Sequence, residues 1–343
     1  MTPPASGATV ALLAPPIPDH APPDELDGRI QAQAVTAALT ALGHPVQPVA
    51  FSLDLAGVQR QLAAVAPDLV FNLVESVAGQ DRLLPLAPLL LEALGLPFTG
   101  CGSTAQAMTG SKLVAKRLLT QAGLPTPEWH TAADLEQPAT TLAAPSFIIK
   151  SVWEHASQGL DQGAVRATRD AAALAAALRD RRRQLPGELF AEAFIPGREI
   201  NLALLEDEAG CVQVLPAAEI LFQDLPPGHW PIVDYAAKWH PDSWEYRATP
   251  RTLVTAASDR PLVAELAGLA RAAWQLFGLA GYARVDFRVD PQGRPFILEV
   301  NANPCLAPDA GFAAAAGQAG LSYATLVGRI VAAALRPGRG GEP

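Results

Sequence analysis

The stretch that most restricts how this chain can fold is residues 281–304, GYARVDFRVDPQGRPFILEVNANP. Two alternating runs flank Asp290-Pro291-Gln292-Gly293, whose turn chemistry predicts a β-hairpin. With those four residues as the loop, Ala283 is expected to face Val300, Val285 to face Leu298 and Phe287 to face Phe296. All six are apolar, and the period of two puts them on one side of the hairpin. The other side then carries Arg284, Asp286, Glu299 and Asn301, with Ile297 among them. A guanidinium, two carboxylates and an amide oxygen are thus expected on one surface. Oxygen donors of this kind suit Mg2+, which takes one or two carboxylates and completes its shell with water and phosphate oxygens. The competing reading is an ordinary half-buried hairpin with a solvated charged face. The acid-x-amide pair Glu299-Val300-Asn301 at a strand end, followed by Asn303-Pro304, favours the metal face.

Upstream, short apolar runs alternate with helical patterns. Strands are predicted at 8–14, 46–50, 68–74 and 96–99, and helices at 27–42, 55–66 and 84–94. Gly43 and Gly95 serve as C-terminal caps and Pro67 as a stop. Strands alternating with helices predict βαβ units and a mainly parallel sheet, giving a small α/β domain over 1–108. A helix follows at 111–121, then a strand at 146–152 containing Lys150, a polar loop at 153–160, a helix at 170–183 and a strand at 189–194. Residues 199–335 alternate strands with an irregular stretch at 222–251, and helices at 261–277 and 323–335 flank the hairpin. The Gly/Pro-rich tail after Arg336 is expected to fray.

Half of the residues are hydrophobic and 17% are charged, as in globular chains rather than disordered ones. A net charge of -9 argues against a nucleic-acid partner or an anionic membrane surface. The short basic run at 179–183 ends an Ala/Leu helix, where the helix dipole favours cations. Cys101, Cys211 and Cys305 have no CxxC spacing, which suits a reducing compartment. No apolar run approaches the ~20 residues that cross a bilayer, so the expectation is a cytoplasmic protein with no membrane partner. The six histidines form no spaced zinc pair.

Several spaced motifs then agree. They are Gly79-Gln80-Asp81 followed by LGLPFTGCGS, Ser111-Lys112-xxx-Lys116, FIIK with its WEHASQGL loop, AEAFIPGREIN, and DYAAKW before the hairpin. In this order, and with Asp286, Glu299 and Asn301 spaced acid-x12-acid-x-Asn, the chain resembles the ATP-grasp ligases, most closely their D-alanine–D-alanine ligase branch. The resemblance implies an α/β N-terminal domain (1–108) followed by an α+β ATP-grasp fold, with a lid subdomain over 109–190 and a metal-bearing subdomain over 191–336. It implies ATP and two Mg2+ ions, with Mn2+ as a substitute, small carboxylate and amine substrates, and a homodimer through the N-terminal domain. Asp286, Glu299 and Asn301 correspond to the metal ligands, while Arg284 and Lys238 match residues at the reacting centre. Lys112 and Lys150 match nucleotide-binding lysines. Glu192, Phe194 and Ile195 match the adenine hinge, Glu199 the ribose contact, Leu298 a further nucleotide contact, and Ser157 the phosphate-covering lid. Glu75, Tyr235, Trp239 and Asp309 fall at substrate positions.

Several departures from that pattern stand out. Residues 15–28, PPIPDHAPPDELDG, lack a convincing match to the glutamate that holds the first D-alanine. The lid's glycine-serine-serine is His155-Ala156-Ser157, and the tyrosine that meets its serine is Trp239, whose indole donates but cannot accept. Asp309-Ala310 stands where a serine binds the second D-alanine's carboxylate, and Glu75 replaces a histidine. The expectation is therefore a carboxylate–amine ligase working through an acyl phosphate on a substrate other than D-alanine. The alternatives are an authentic D-alanine–D-alanine ligase, a non-catalytic nucleotide-binding protein, or a kinase or carboxylase of the same fold. Retention of all four polar hairpin residues argues against a non-catalytic role.

Overall fold

The computed structural model describes residues 7–185, 187–207 and 209–336, so the fraying expected beyond Arg336 lies outside the described residues. Three sheets organise the chain. The first is parallel, ordered β2-β1-β3, from β1 (Val10–Ala14), β2 (Val46–Ala50) and β3 (Leu69–Asn72). Helices α1 (Pro23–Ala41) and α2 (Leu55–Val65) form the crossovers, and α3 (Leu86–Ala93) follows. The run VALLA is apolar because β1 is central and covered on both faces. The strand expected at 96–99 is reduced to one parallel bridge, Val70 with Phe98. Two features limit it: Pro97 has no N–H with which to extend the ladder before the bridge, and beyond it the Asn72 amide is taken by the Thr99 hydroxyl at 3.0 Å.

Two helices lead onward, α4 (Ser103–Gly110) and α5 (Lys112–Gln121), the latter capped by the Ser111 hydroxyl. The sequence STAQAMTG has too few large apolar residues to announce α4. The second sheet is antiparallel, ordered β4-β7-β5-β6, from β4 (Trp129–Thr131), β5 (Ser146–Ser151), β6 (Val165–Ala167) and β7 (Leu189–Ala193). Its core is shared with α6 (Ala132–Leu135) and α7 (Ala171–Gln184).

The third sheet is also antiparallel. It runs β11-β10-β8-β12-β13, with β9 paired to β8. The strands are β8 (Arg198–Glu206), β9 (Val212–Val214), β10 (Ala218–Ile220), β11 (Arg251–Leu253), β12 (Tyr282–Val289) and β13 (Pro295–Asn301). The stretch expected to be irregular holds two short helices, α8 (Tyr235–Trp239) and α9 (Trp244–Ala248), capped by the Asp234 and Ser243 side chains. Helix α10 (Arg260–Phe277) buries Leu266, Ala270, Ala273, Trp274 and Phe277, a stripe at helical spacing against this sheet. The last helices, α11 (Gly311–Gln318) and α12 (Tyr323–Ala334), return to the first sheet. Phe312, Leu326 and Ile330 share one core with Val10, Leu39 and Phe71 and with Leu205 and Tyr282 of the third sheet. That core ties the first and third sheets together.

The hairpin forms as β12 and β13, but its register is not the expected one. Val285 pairs with Val300, Phe287 with Ile297 and Val289 with Pro295. The loop takes in Arg294 as well: Asp290 N–H donates to the Arg294 carbonyl, and Gly293 adopts a φ of 81° that glycine tolerates. A bulge between Asp286 and Phe287 then skips Leu298. As a result Ile297 is buried in the core instead of lying on the polar side, and Leu298 turns towards a cavity beside Glu299. The bulge leaves the charged set intact, with Arg284 opposite Asn301 and Asp286 opposite Glu299.

Candidate active site

A cavity of about 1180 Å³ opens where the three sheets approach one another. All of the sequence-nominated site residues except Tyr235 line it; Tyr235 lines a smaller neighbouring cavity at the lid. At its centre Arg284 forks onto Asp286, Nε to Oδ1 at 2.8 Å and Nη2 to Oδ2 at 2.9 Å. Asn201 from β8 and Asn301 from β13 donate to the same carboxylate at 2.7 and 3.0 Å. Burial works against the Arg284 cation, but Asp286 outweighs it and holds the guanidinium above its ordinary pKa. Glu299 accepts from His155 Nδ1 at 3.0 Å and lies 3.3 Å from Lys112 Nζ. Burial pushes the Glu299 carboxyl up, yet Lys112 and His155 together hold it well below the usual range.

These donors fit a hard divalent ion in one respect. Among the described residues no three His, Cys, Asp or Glu side chains gather closely enough to hold a metal by themselves. Glu299 keeps an oxygen open to an ion, whereas Asp286 already accepts four N–H bonds and would release one to join it, with phosphate oxygens and water completing the shell, as is common for Mg2+ beside a nucleotide. The Asn301 amide nitrogen donates to Asp286, so its oxygen remains available.

One wall of the cavity is apolar, with Ile148, Phe194, Ile232 and Leu298 along it. Phe194 meets Trp230 edge to face at 5.1 Å. Ile195 and Glu199 adjoin this wall where β7 passes into β8. Glu192 is placed differently from a free hinge acid. It is 1% exposed, and its carboxylate is taken by Lys150 Nζ at 2.5 Å and by the equally buried Lys116. Burial pushes Glu192 up, but the two lysines outweigh it and keep the carboxylate ionised.

The loop after β5 roofs the cavity. Ala156 and Ser157 have φ of 58° and 61°, a region side-chain-bearing residues rarely enter, so surrounding contacts must hold them there. His155 N–H donates to Asp81 at 2.8 Å, and Lys112 Nζ donates to the Glu154 carbonyl at 2.6 Å. Ser157 Oγ donates to the Val233 carbonyl at 2.9 Å. Trp239 bears directly on the expected break in the lid network: its indole N–H donates to the Ala156 carbonyl at 2.9 Å. The bond between the two loops is therefore made through backbone. Asp24, in the first turn of α1, accepts from Tyr235 Oη at 2.8 Å and from Gln158 Nε2 at 2.7 Å. Burial and that bond push the Tyr235 hydroxyl up to about 12.

Beyond Arg284 the cavity turns acidic. Glu75 accepts from Gln31 at 2.9 Å, and burial raises its pKa more than that bond lowers it. Asp27 accepts from the Cys305 thiol at 3.1 Å. Asp309 lies at the mouth, its backbone carbonyl taken by Arg251 at 2.9 Å. Lys238 reaches in between these groups and Arg284, and burial followed by the Arg284 charge lowers its pKa.

Sequence reasoning passed over Asp24, Asp81, Lys116, Gln158, Asn201 and Arg288 as site residues. Arg288 and Asn201 carried a signal, since Arg284, Asp286 and Arg288 alternate with period two and Asn201 ends the motif AEAFIPGREIN. Asp24 and Gln158 carried none, because their meeting depends on the path of two loops.

Comparison with known proteins gives concordant results. The family model described as "D-ala D-ala ligase C-terminus" matches residues 118–332. A D-alanine–D-alanine ligase of Synechococcus sp. (strain JA-2-3B'a(2-13)) is 32% identical over 307 residues, covering 90% of this chain and 88% of that protein. The ligase of that name from Gloeobacter violaceus is 33% identical over 302 residues, 88% of this chain and 92% of its own. Among solved structures, the D-alanine–D-alanine ligase from Bacillus anthracis complexed with ATP superposes with a TM-score of 0.69 at 18% identity, covering 96% of this chain and 98% of that one.

Proposed function

This chain is an ATP-grasp enzyme of the D-alanine–D-alanine ligase family, and from that premise we propose that it joins two D-alanines with ATP as the energy source. The observation that carries the reading is the single cavity running from the apolar wall at Phe194 and Leu298, past Lys150 and Lys112, to Arg284. In that reading the base lies against the apolar wall, with Lys150 and the backbone at Phe194 and Ile195 beside it, and Glu199 meets the ribose. Lys112 and the roof loop face the phosphates. Asp286, Glu299 and Asn301 would hold Mg2+, which would supply charge neutralisation at the phosphate oxygens. The first substrate's carboxylate takes the γ-phosphoryl group to give an acyl phosphate and ADP. The second substrate's amine attacks the acyl carbon, and phosphate leaves from the tetrahedral intermediate. Arg284 and Lys238 place two cations where the oxyanion develops, and positioning with charge stabilisation is most of what such transfers need.

The sequence departures first pointed to a different substrate. The relatives named D-alanine–D-alanine ligases favour D-alanine instead, and the departures weigh less once the contacts are known. Trp239 keeps the loop-to-loop bond, and Asp24 supplies an N-terminal carboxylate at the lid. One observation favours a second reading, an acceptor richer in amine or hydroxyl groups: the acidic wall of Asp27, Glu75 and Asp309 beside Ala310.

The test is purified protein with ATP, Mg2+ and D-alanine, following phosphate and the dipeptide together. Equimolar D-alanyl-D-alanine and phosphate are expected, with turnover lost in Arg284→Ala while ATP binding persists. Phosphate and an amide product only with other amines would instead establish the second reading.

A further inference from the structure

Strand β12 sends Arg284, Asp286 and Arg288 to the cavity side, yet Arg288 takes no part in the metal face. It is 4% exposed and stands directly opposite Glu199 in the β12–β8 register. Its Nη2 lies 3.0 Å from Glu199 Oε2. The same guanidinium donates to the Gly197 carbonyl at 3.2 Å and to the Pro231 carbonyl. It also sits over the Phe222 ring at 4.8 Å and the Phe194 ring at 5.6 Å. A planar fork held by two carbonyls and two rings cannot swing to follow its partner. The partner is therefore fixed by it. Among the described residues no donor meets the other oxygen of Glu199, Oε1, and Glu199 lines the cavity on the wall shared with Phe194 and Leu298.

We propose that Arg288 is a specificity-determining positioning residue: by occupying Oε2 it presents Oε1 of Glu199 as a fixed acceptor for a ribose hydroxyl, so the site selects ribonucleoside over deoxyribonucleoside triphosphates. The inference rests on the nucleotide placement given under Proposed function and adds the means of sugar discrimination. A sugar lacking the hydroxyl leaves a desolvated carboxylate oxygen with no donor, and sites built around such a bond reject the analogue strongly. Without Arg288, Glu199 loses the cation that lies against it and keeps only the weaker pull of Lys150, in a partly buried position where burial already raises its pKa. It then takes a proton or turns away, and the bond to the sugar loses its advantage.

A purely structural Arg288, stapling Gly197, Pro231 and Phe222 together, would affect every nucleotide alike. Calorimetric binding of ATP, 2′-deoxyATP and 3′-deoxyATP with Mg2+ to wild type, Arg288→Met and Arg288→Lys separates the two roles, with thermal melts reporting folding. Wild type should bind ATP roughly ten- to a hundredfold more tightly than at least one deoxy analogue, the span of a hydrogen bond to a charged group. Arg288→Met should bring that ratio to within about threefold, and Arg288→Lys, with its single-point ammonium, should fall between. Equal weakening of all three nucleotides by Arg288→Met, or no discrimination in wild type, overturns the inference. Failure of wild type to bind ATP at all overturns the nucleotide placement and this inference with it.

Discussion

Glu299 concentrates the electrostatics of the site in one side chain. It meets a lysine from α5 and a histidine from the roof loop, so two separate segments lower its pKa against the effect of burial. The folded form then binds fewer protons than the unfolded chain between the depressed value and the ordinary one near 4.3. Glu299 therefore contributes stability that is complete above about pH 4.3 and is lost as pH falls through the folded-state value, by at most about 1.4 kcal/mol per pH unit. Urea titrations of metal-free protein between pH 3 and 7 should show Glu299→Gln losing less stability on the acid side than wild type. Parallel profiles would mean that the ion pairs of Glu299 are not formed in solution. The acid itself was legible in the sequence as the first member of an acid-x-amide pair. Its partner His155 was not, because the roof loop folds back across a separation of 144 residues.

At the scale of elements, closure of the cavity depends on Asp24. One carboxylate at the start of α1 receives both Gln158 of the roof loop and Tyr235 of the segment beneath it. Parallel bonds, Ser157 to Val233 and Trp239 to Ala156, join those two segments to each other but not to the first sheet. Asp81 is a further tie between the roof and the first sheet's side, through the His155 amide. Asp24→Ala should leave the fold in place and loosen the roof. Water then reaches the acyl phosphate, so phosphate released per amide formed should rise severalfold, with faster proteolytic cleavage near 154–160. Tyr235→Phe, which deletes a single donor, should do the same more weakly. An unchanged ratio in Asp24→Ala would remove Asp24 from closure. Elements such as these were readable to different depths. Helix α10 and strand β2 follow directly from their patterns. The hairpin was found by alternation, but its register depended on Arg294 joining the loop and on a bulge at Leu298, and alternation is blind to both. A register shift turns side chains over, which is why Ile297 was placed on the wrong face while Arg284 and Asp286 were not.

The whole molecule divides its cohesion unevenly. Helices α11 and α12 join the first and third sheets in one core, whereas the second sheet keeps a separate core with α6 and α7. Contacts from the second sheet to the rest run through polar bonds of the roof loop, through the nucleotide wall, where Ile148 meets Phe194 and Ile232, and through α5, where Leu113 packs on Val152 and Phe190 and Lys116 pairs with Glu192. Few buried apolar contacts across a boundary mark a unit that opens at lower free energy than the rest. A ligand that binds only the closed form stabilises it by mass action, about 2.7 kcal/mol at a hundred times its Kd. Binding of a non-hydrolysable ATP analogue with Mg2+ should therefore slow amide exchange most in β5, β6, β7 and the roof loop. Amides in β1 and β3 should change little, because their protection already depends on the larger core. Protection that rises equally in all three sheets would show the chain opening as one cooperative body, and the second sheet would lose its role as the moving part. If the pattern holds without Mg2+, the nucleotide wall alone draws the sheets together, and the hairpin face serves the phosphates only after closure.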